Sequence, residues 1–150
     1  MLRRKTARAI ILHNDQLLLI ERWRDNLHYF SVPGGGIEPN ETPEQTVVRE
    51  IAEETGCVIR PGRHVYTLQL ADGTEHYFFL AEYVSGEPHL PADSPEALAY
   101  DTGNRFKPRW ISVNGMNQIN FLVWAPIKDQ LMYDLRHGFP GAPQILATNG

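Results

Sequence analysis

The sequence predicts an α/β domain in which helices flank a mixed β-sheet. Two apolar runs near the start of the chain, and two runs of aromatic and β-branched residues in its middle, have the composition of strands. One helix pattern separates the two groups, and a second helix pattern lies near the end of the chain. Strands interrupted by one central and one late helix favour a sheet with helices packed against it.

The first part of the chain predicts strands and a glycine-rich loop. The runs ARAIIL (7–12) and QLLLIER (16–22) are separated by HNDQ, which favours a tight connection between two buried strands. The run YFSVPGGGIE (29–38) begins as a strand and continues as a loop whose three successive glycines leave the backbone bare. This loop is expected to approach a ligand, and an ordinary turn is the alternative.

The central helix has clear start and stop signals. Thr42, followed by Pro43 and Gln45, forms a capping box with proline at the first helical position, and Gly56 ends the helix. The apolar residues of this helix fall on one side of a helical wheel. That side is expected to face a core.

The middle of the chain predicts a hairpin and then a long loop. HVYTLQL (64–70) and EHYFFLAEYV (75–84) flank ADGT and predict an antiparallel pair. Residues 86–108 contain four prolines and no periodicity, so they predict a long loop, and such loops in compact domains are often functional.

The last part of the chain predicts a strand, a helix and a tail. RWISV (109–113) resumes as a strand. The second helix is expected to begin at Pro126 and to end at Gly138. Residues 138–150 are predicted to form a surface tail.

The side of the central helix opposite its apolar residues carries Glu50, Glu53 and Glu54. Like charges at this spacing repel by roughly 0.2–0.5 kcal/mol per pair, and glutamates in a last turn oppose the helix dipole by roughly 0.3–1 kcal/mol. Such conflicts tend to mark functional sites. A hard divalent cation such as Mg²⁺ would remove the conflict because it takes carboxylate oxygens as ligands. A solvated acidic helix face is the alternative.

Seven fixed identities around this helix resemble the signature of the Nudix hydrolases, which spans residues 35–57 here. Cys57 departs from the pattern, where the family prefers a bulky aliphatic residue. A chance match at seven positions has odds on the order of one in ten million for a chain of this length, so the signature is specific. The matching residues are Gly35, Glu41, Arg49, Glu50, Glu53, Glu54 and Gly56.

The resemblance implies a fold, a reaction and metal ligands. The fold is the family's α/β/α sandwich, and the reaction is hydrolysis of a diphosphate linked to another group. We expect Glu50, Glu53 and Glu54 to bind Mg²⁺, with Mn²⁺ as the alternative ion. The carbonyl of Gly34 matches a further metal-binding position of the family. Glu50 or Glu53 is the candidate general base.

The other residues of the signature are expected to support these ligands. Arg49 is expected to form a bidentate pair with a carboxylate and to fix its rotamer, as the family's arginine does. Glu41 lies just before the helix, where its negative charge interacts favourably with the helix N-terminus, and it is expected to reach Arg49. Gly35 and Gly56 are assigned to structural support as well.

Five residues outside the signature are further candidates. Glu96 lies in the long loop, where many Nudix enzymes bring in another glutamate as ligand or base; a solvated loop acid is the alternative. Arg22 is a candidate for contacting a phosphate. The other three are aromatic residues, for each of which packing or a surface position is the alternative. The candidates for stacking on a base are Trp23, Tyr29 and Phe106.

The composition predicts one globular domain over residues 1–150, and the resemblance implies that it is a Nudix domain. A net charge of −4 argues against a nucleic-acid polymer as partner. The single cysteine excludes an internal disulfide framework and favours the cytoplasm. The first apolar run ends at Leu12, too early for a signal peptide or a membrane span, so no membrane partner is expected. Monomer and oligomer both stay open.

Three functions follow from these observations. The first is Mg²⁺-dependent hydrolysis of a diphosphate linkage in a small nucleotide, either a nucleoside triphosphate or a nucleoside diphosphate linked to another group, as in ADP-ribose. The second is a Nudix module that senses a ligand without turnover, which would be expected to lose one of the three glutamates. The third is a structural protein with a solvated acidic helix. Because all three glutamates are present, the hydrolase is favoured.

Overall fold

The computed structural model describes residues 4–92, 104–121 and 124–148. Within these ranges, eight strands form one mixed sheet, which confirms the predicted fold class. The strands are β1 (Lys5–His13), β2 (Gln16–Arg24), β3 (Leu27–Ser31), β4 (Gly34–Gly36), β5 (Val58–Gln69), β6 (Glu75–Ser85), β7 (Asn104–Ser112) and β8 (Gln144–Ala147). The helices are α1 (Pro43–Thr55), α2 (Ala125–His137) and a 3₁₀ helix (Val113–Gln118).

The strand order along the sheet is β3-β2-β1-β6-β5-β8, with β4 paired to β1 and β7 paired to β2. The β1–β6 and β5–β8 pairs are parallel, and the other pairs are antiparallel. Both predicted hairpins, β1–β2 and β5–β6, are therefore present. Asn14 and Asp15 both have positive φ between β1 and β2, as the favoured two-residue hairpin turn requires.

Alternate residues of the central strands pack into two separate cores. One core holds Ala7, Ala9 and Ile11 of β1 with Val47 and Ile51 of α1. The other core holds Ile10 of β1 and Leu17 and Leu19 of β2 with Ile127 and Leu131 of α2. Because successive strand residues point to opposite faces, α1 and α2 cover opposite faces of the sheet. The α/β/α arrangement follows from this alternation.

Helix α1 begins and ends where its sequence predicts. The Thr42 hydroxyl accepts a hydrogen bond from the Gln45 amide at 3.1 Å, and the Gln45 side chain accepts one from the Thr42 amide at 2.9 Å. Gly56 has φ 73°, a left-handed conformation that favours glycine, and its amide donates to the Ala52 carbonyl. Both α-helices are 13 residues long, and no helix in the described ranges meets the length and apolarity needed to cross a bilayer.

Three predictions about strands were wrong. The glycine run 34–36 is a strand that pairs with β1, not a loop. The loop predicted for 86–108 ends early, because β7 begins at Asn104 and contains Pro108. Among the described residues β7 pairs only with β2, and an edge strand tolerates proline because one of its sides needs no donor.

The third of these predictions concerns the end of the chain. The predicted surface tail contains β8, which pairs in parallel with Tyr66 to Gln69 of β5. In addition, β5 begins at Val58, six residues before the predicted hairpin strand. The 3₁₀ helix had no counterpart in the prediction.

A buried polar network joins β5, α2 and β8. The Tyr66 hydroxyl donates to the Asp134 carboxylate at 2.6 Å, and the Gln144 and Gln130 amides donate to the same carboxylate at 3.1 and 3.2 Å. Tyr66 and Asp134 are both buried. Burial and the adjacent Asp134 carboxylate raise the pKa of Tyr66 well above its usual range. The hydroxyl therefore remains a donor over the pH range in which the protein is handled.

The first prediction tests this network. Tyr66→Phe is expected to lower the free energy of unfolding by about 1–3 kcal/mol, because it removes a charge-assisted hydrogen bond from a buried carboxylate. Urea unfolding at neutral pH measures the change. Tyr133→Phe, at a tyrosine that is 58% exposed, is the matched control and is expected to change stability very little. Equal stability of the two variants would contradict a contribution from the Tyr66–Asp134 bond.

Candidate active site

The acidic side of α1 lies against β4. Glu50 is buried at 9% exposure, so it does not lie on a solvated helix face, which was the alternative interpretation. The helical wheel placed it correctly opposite the apolar residues, but β4 covers that part of the helix. A Cβ atom on Gly35 would overlap the Glu50 carboxyl group, so the Glu50 side chain keeps its present place because residue 35 is a glycine.

Arg49 connects α1 to the residues that precede it. Its Nε and Nη2 donate to the two carboxylate oxygens of Glu41 at 2.8 and 2.9 Å, which is the expected bidentate pair. Its Nη1 donates to Glu50 at 2.9 Å and lies 3.5 Å from a Glu53 oxygen. Its Nη2 also donates to the Gly36 carbonyl of β4 at 3.1 Å. One guanidinium group thus fixes three carboxylates and a strand.

The charges of this cluster reinforce one another. Hydrogen bonds from Arg49, and then from Thr46, lower the pKa of Glu41 to about 2. The Glu41 carboxylate in turn raises the pKa of Arg49 above its usual range. The two shifts have the signs expected of a hydrogen-bonded ion pair, so Glu41 is ionised at neutral pH.

A cavity of about 300 Å³ opens between α1, β4 and the first two strands. The Gly34 amide donates to a Glu54 oxygen at 3.3 Å at its edge. The cavity therefore holds two of the three glutamates, the glycine backbone and three arginines. Its lining residues are Arg4, Arg8, Ile20, Arg22, Ser31, Gly34, Gly35, Gly36, Glu50, Glu54 and Phe106.

The donor set of this cavity fits a hard divalent cation. Carboxylate oxygens of Glu50 and Glu54 lie beside the bare backbone of β4, and oxygen ligands are the ones that Mg²⁺ prefers. Glu53 does not line the cavity, and its side chain is 33% exposed. Across residues 4–92, 104–121 and 124–148, no three acidic, histidine or cysteine side chains already surround one point. The described structure therefore brings two of the three predicted ligands to the cavity.

A second cavity of about 210 Å³ adjoins the first and has an aromatic lining. It shares Arg8, Arg22 and Ser31 with the first cavity. Neither cavity alone contains both the carboxylates and the aromatic cluster. The lining residues of the second cavity are Arg8, Arg22, Tyr29, Phe30, Ser31, Phe121 and Trp124.

Strand pairing sorts the candidate substrate residues into two groups. Arg22 lies opposite Tyr29 of β3 and Phe106 of β7, so all three share a face of the sheet. Its guanidinium carbon lies 5.3 Å from the centre of the Phe106 ring. Trp23 points to the other face, where it stacks on His28 at 5.1 Å between ring centres. The predicted role of Trp23 in this site is therefore not supported, while Arg22, Tyr29 and Phe106 line the two cavities.

Two further residues singled out by the sequence are Glu96 and Cys57. Glu96 lies outside the described residues, so its role stays a prediction. Cys57, which departs from the signature, is fully buried and packs in the core beside α1. Burial raises the pKa of its thiol, so this residue serves as a small apolar side chain.

Arg8 and Arg4 were missed by the sequence interpretation. Arg8 is a partly buried charged residue within the apolar strand β1. A charged residue inside an apolar run was the sequence signal that could have identified it. Desolvation lowers the pKa of Arg8 to about 10, opposed chiefly by the negative charge of Glu54. The guanidinium group stays protonated at neutral pH.

Comparison with known proteins gives consistent results. A family model described as the NUDIX domain matches residues 2–134. An ADP-ribose pyrophosphatase of Methanocaldococcus jannaschii is 35% identical over 102 residues, which are 64% of this chain and 60% of that protein. An 8-oxo-dGTP diphosphatase of Escherichia coli is 31% identical over 121 residues, covering 77% of this chain and 84% of that protein.

The solved structures agree with these sequence relatives. A NUDIX hydrolase from Nitrosomonas europaea superposes with a TM-score of 0.73 at 20% identity, covering 99% of this chain and 81% of that one. This likeness concerns the fold. It extends over both helices and the whole sheet of the described structure.

The second prediction concerns the Glu41–Arg49 pair. The pKa of Glu41 is about 2 in the folded protein, below its ordinary value of about 4.5. The pair therefore stabilises the fold above about pH 4.5, and this stabilisation is lost as the pH falls towards 2. Glu41→Gln is expected to be less stable than the wild type at pH 7, with the difference shrinking between pH 4.5 and pH 2.

Urea unfolding at several pH values measures this effect. Glu44→Gln, at an exposed glutamate in the first turn of the same helix, is the matched control. A stability difference between wild type and Glu41→Gln that does not change with pH would show that ionisation of Glu41 contributes nothing to the fold.

Proposed function

The chain belongs to the Nudix family, and on this basis we propose that it is a divalent-metal-dependent pyrophosphohydrolase that cleaves a diphosphate linkage in a small nucleotide. The observation that carries the proposal is the first cavity, where Glu50 and Glu54 lie together with three arginines. Carboxylates suit a divalent cation, and arginines suit phosphate oxygens. A metal-bound diphosphate needs both within one cavity.

Glutamates and backbone groups of this cavity would hold the ion. Nudix enzymes generally use divalent metal ions, and we propose Mg²⁺, with Mn²⁺ as the alternative. The candidate ligands are Glu50, Glu53, Glu54 and the Gly34 carbonyl. When bound, such an ion neutralises phosphate charge and acidifies a coordinated water.

The chain itself positions the reacting groups. Arg49 holds the Glu50 carboxylate through a 2.9 Å hydrogen bond, which fixes its orientation towards the cavity. Of the two candidate general bases, Glu50 lines the cavity and Glu53 does not. This difference supports Glu50 as the group that accepts a proton from the attacking water. Glu96 stays a further candidate for that role.

The second cavity supports a nucleotide as the substrate. Its aromatic side chains include Tyr29, which is partly exposed and offers a flat surface against which a base can stack, and Arg22 lies between this cavity and the carboxylates. Relatives named ADP-ribose pyrophosphatase and 8-oxo-dGTP diphosphatase act on small nucleotides by name. We propose the same class here, a nucleoside triphosphate or a nucleoside diphosphate linked to another group, such as ADP-ribose.

The competing functions have less support. A solvated acidic helix does not fit Glu50, which is buried and bonded to Arg49. A sensing module without turnover would have no need for the complete set of three glutamates. The acidic net charge of −4 argues against a polymer, and the single buried cysteine fits a reducing compartment such as the cytoplasm.

The third prediction tests the carboxylates. Glu54→Gln and Glu53→Gln are each expected to lower metal-dependent hydrolysis by on the order of 100-fold or more, because each loses a negatively charged ligand. The fold should persist, since the glutamine side chain keeps the shape of glutamate. Turnover with Mg²⁺ and the melting temperature with and without Mg²⁺ are measured for each variant.

Glu44→Gln serves as the control for both variants. We expect Mg²⁺ to raise the melting temperature of the wild type and of this control, and to raise it less in the other two. Unchanged turnover in both Glu53→Gln and Glu54→Gln would contradict the metal assignment.

The fourth prediction concerns the substrate. Hydrolysis with Mg²⁺ is expected for nucleoside triphosphates, ADP-ribose or nucleotide sugars in preference to a capped RNA, because few basic residues are available to hold a polymer. Initial rates with the four substrate classes, measured side by side, give kcat/KM for each. A tenfold preference for the RNA, equivalent to about 1.4 kcal/mol of transition-state binding, would contradict a small nucleotide.

A further inference from the structure

The two cavities meet at Arg8, Arg22 and Ser31, the three residues that line both of them. The carboxylates lie on one side of this junction and the aromatic cluster lies on the other. A ligand that extends from one cavity to the other has to pass these side chains. Two of the three carry a positive charge, so the junction suits a negatively charged group within such a ligand.

Arg8 is held at the junction by neutral partners. Its Nη1 donates to the Val32 carbonyl at 3.0 Å, and its guanidinium carbon lies 4.3 Å from the centre of the Trp124 ring. Its Nε donates to Nδ1 of His76 at 3.4 Å. Within the described part of the chain, its Nη2 donates to no protein group, so donor capacity remains for a ligand.

His76 is itself fixed in one state. It is buried, and the Thr6 hydroxyl lies 2.6 Å from the same Nδ1 atom that accepts from Arg8. Burial, together with the positive charge of Arg8, lowers the pKa of His76 to about 4. Two donors at Nδ1 require this nitrogen to be unprotonated, so the ring is a neutral acceptor that orients Arg8.

Arg22 completes the junction from the neighbouring strand. Its Nε is buried and has no hydrogen-bond partner among the described residues. A buried donor without a protein partner is costly unless a water, an ion or a ligand accepts from it. Two arginines with donor capacity therefore lie side by side in the same two cavities.

We propose that Arg8, oriented by His76 and stacked on Trp124, binds the phosphate group next to the nucleoside of the substrate. This assignment rests on the proposed function, because it takes the scissile diphosphate to lie beside Glu50 and Glu54 and the base to lie in the aromatic cavity. Arg8 then favours nucleotides over nucleosides. His76 is a positioning residue, because it acts through Arg8.

The competing explanation is that Arg8 only balances the charge of Glu54. Both explanations predict that loss of Arg8 alters hydrolysis, so activity alone does not separate them. They differ in the binding of a nucleoside monophosphate without metal. A charge-balancing arginine acts through its charge alone, so Arg8→Lys would keep the advantage of the monophosphate over the nucleoside, whereas a phosphate-binding arginine also needs the two parallel donors of its guanidinium group.

The experiment compares AMP with adenosine, and GMP with guanosine, by titration calorimetry in the presence of a chelator. The ratio of the nucleoside Kd to the monophosphate Kd measures what the phosphate contributes. We expect this ratio to fall by about tenfold or more in Arg8→Met. It should fall by less in Arg8→Lys, which keeps the positive charge but lacks the two parallel donors of the guanidinium group. Arg60→Met, at an arginine that forms a surface pair with Glu82, is expected to keep the wild-type ratio.

Two variants of His76 test the positioning role. His76→Gln keeps a side-chain acceptor for Arg8 and is expected to retain most of the wild-type ratio. His76→Phe removes the acceptor while keeping a flat ring, and is expected to lower the ratio as Arg8→Met does. Arg8→Lys serves in place of Arg8→Met if the latter does not fold, and a wild-type ratio in Arg8→Lys then counts against the proposal.

The outcomes separate this proposal from the proposed function. Equal affinity of the wild type for monophosphate and nucleoside, or an unchanged ratio in folded Arg8→Met, would overturn the role of Arg8. Because no metal and no turnover enter the measurement, an absence of hydrolysis in the wild type would contradict the hydrolase and not the phosphate contact. A lowered ratio together with intact Mg²⁺-induced stabilisation supports the proposal.

Discussion

The close contact between Glu50 and the backbone of β4 holds the acidic side of α1 against the sheet. Gly35 leaves room for the Glu50 carboxyl group, and Arg49 donates to the carbonyl of the next residue, Gly36. A side chain at Gly35 would displace the Glu50 carboxyl group from its present place. Gly35 and Glu50, which are separated by a fixed spacing in the signature, are therefore in contact in the structure. The positions of Glu53 and Glu54 follow from that of Glu50, because all three lie on one helix.

The arrangement of charges follows from this contact. Within the helix alone, the glutamates repel one another. Two arginines offset that repulsion. Arg49, on the helix itself, donates hydrogen bonds to Glu41 and Glu50. Arg8, on β1, interacts with the negative charge of Glu54. The result is a cavity in which both signs of charge lie close together, which suits a ligand that brings a cation and an anion at once.

Local signals predicted the elements that depend on neighbouring residues. The caps of α1, the two hairpins and the Glu41–Arg49 pair all involve short separations along the chain. The burial of Glu50 was missed because a helical wheel does not show which strand covers a helix. Strand β8 was missed because its parallel partner lies far back in the sequence, and the Arg8–His76 contact joins residues 68 positions apart. Arg22 and Trp23 were grouped together although alternation along a strand separates them.

The division of labour between helix and sheet explains why the signature alone leaves the substrate open. Helix α1 carries the carboxylates and β4 provides the glycine beside Glu50, and the signature specifies these residues. The residues that would recognise a nucleotide, Arg8, Arg22 and Trp124, lie on β1, β2 and the start of α2, outside it. Arg8 belongs to a strand that is paired on both sides, so its position is set by the sheet and does not adjust with a loop. Substitutions at such positions change which ligand fits while the carboxylates stay in place. This separation is consistent with relatives that share the family but are named for ADP-ribose in one case and 8-oxo-dGTP in another.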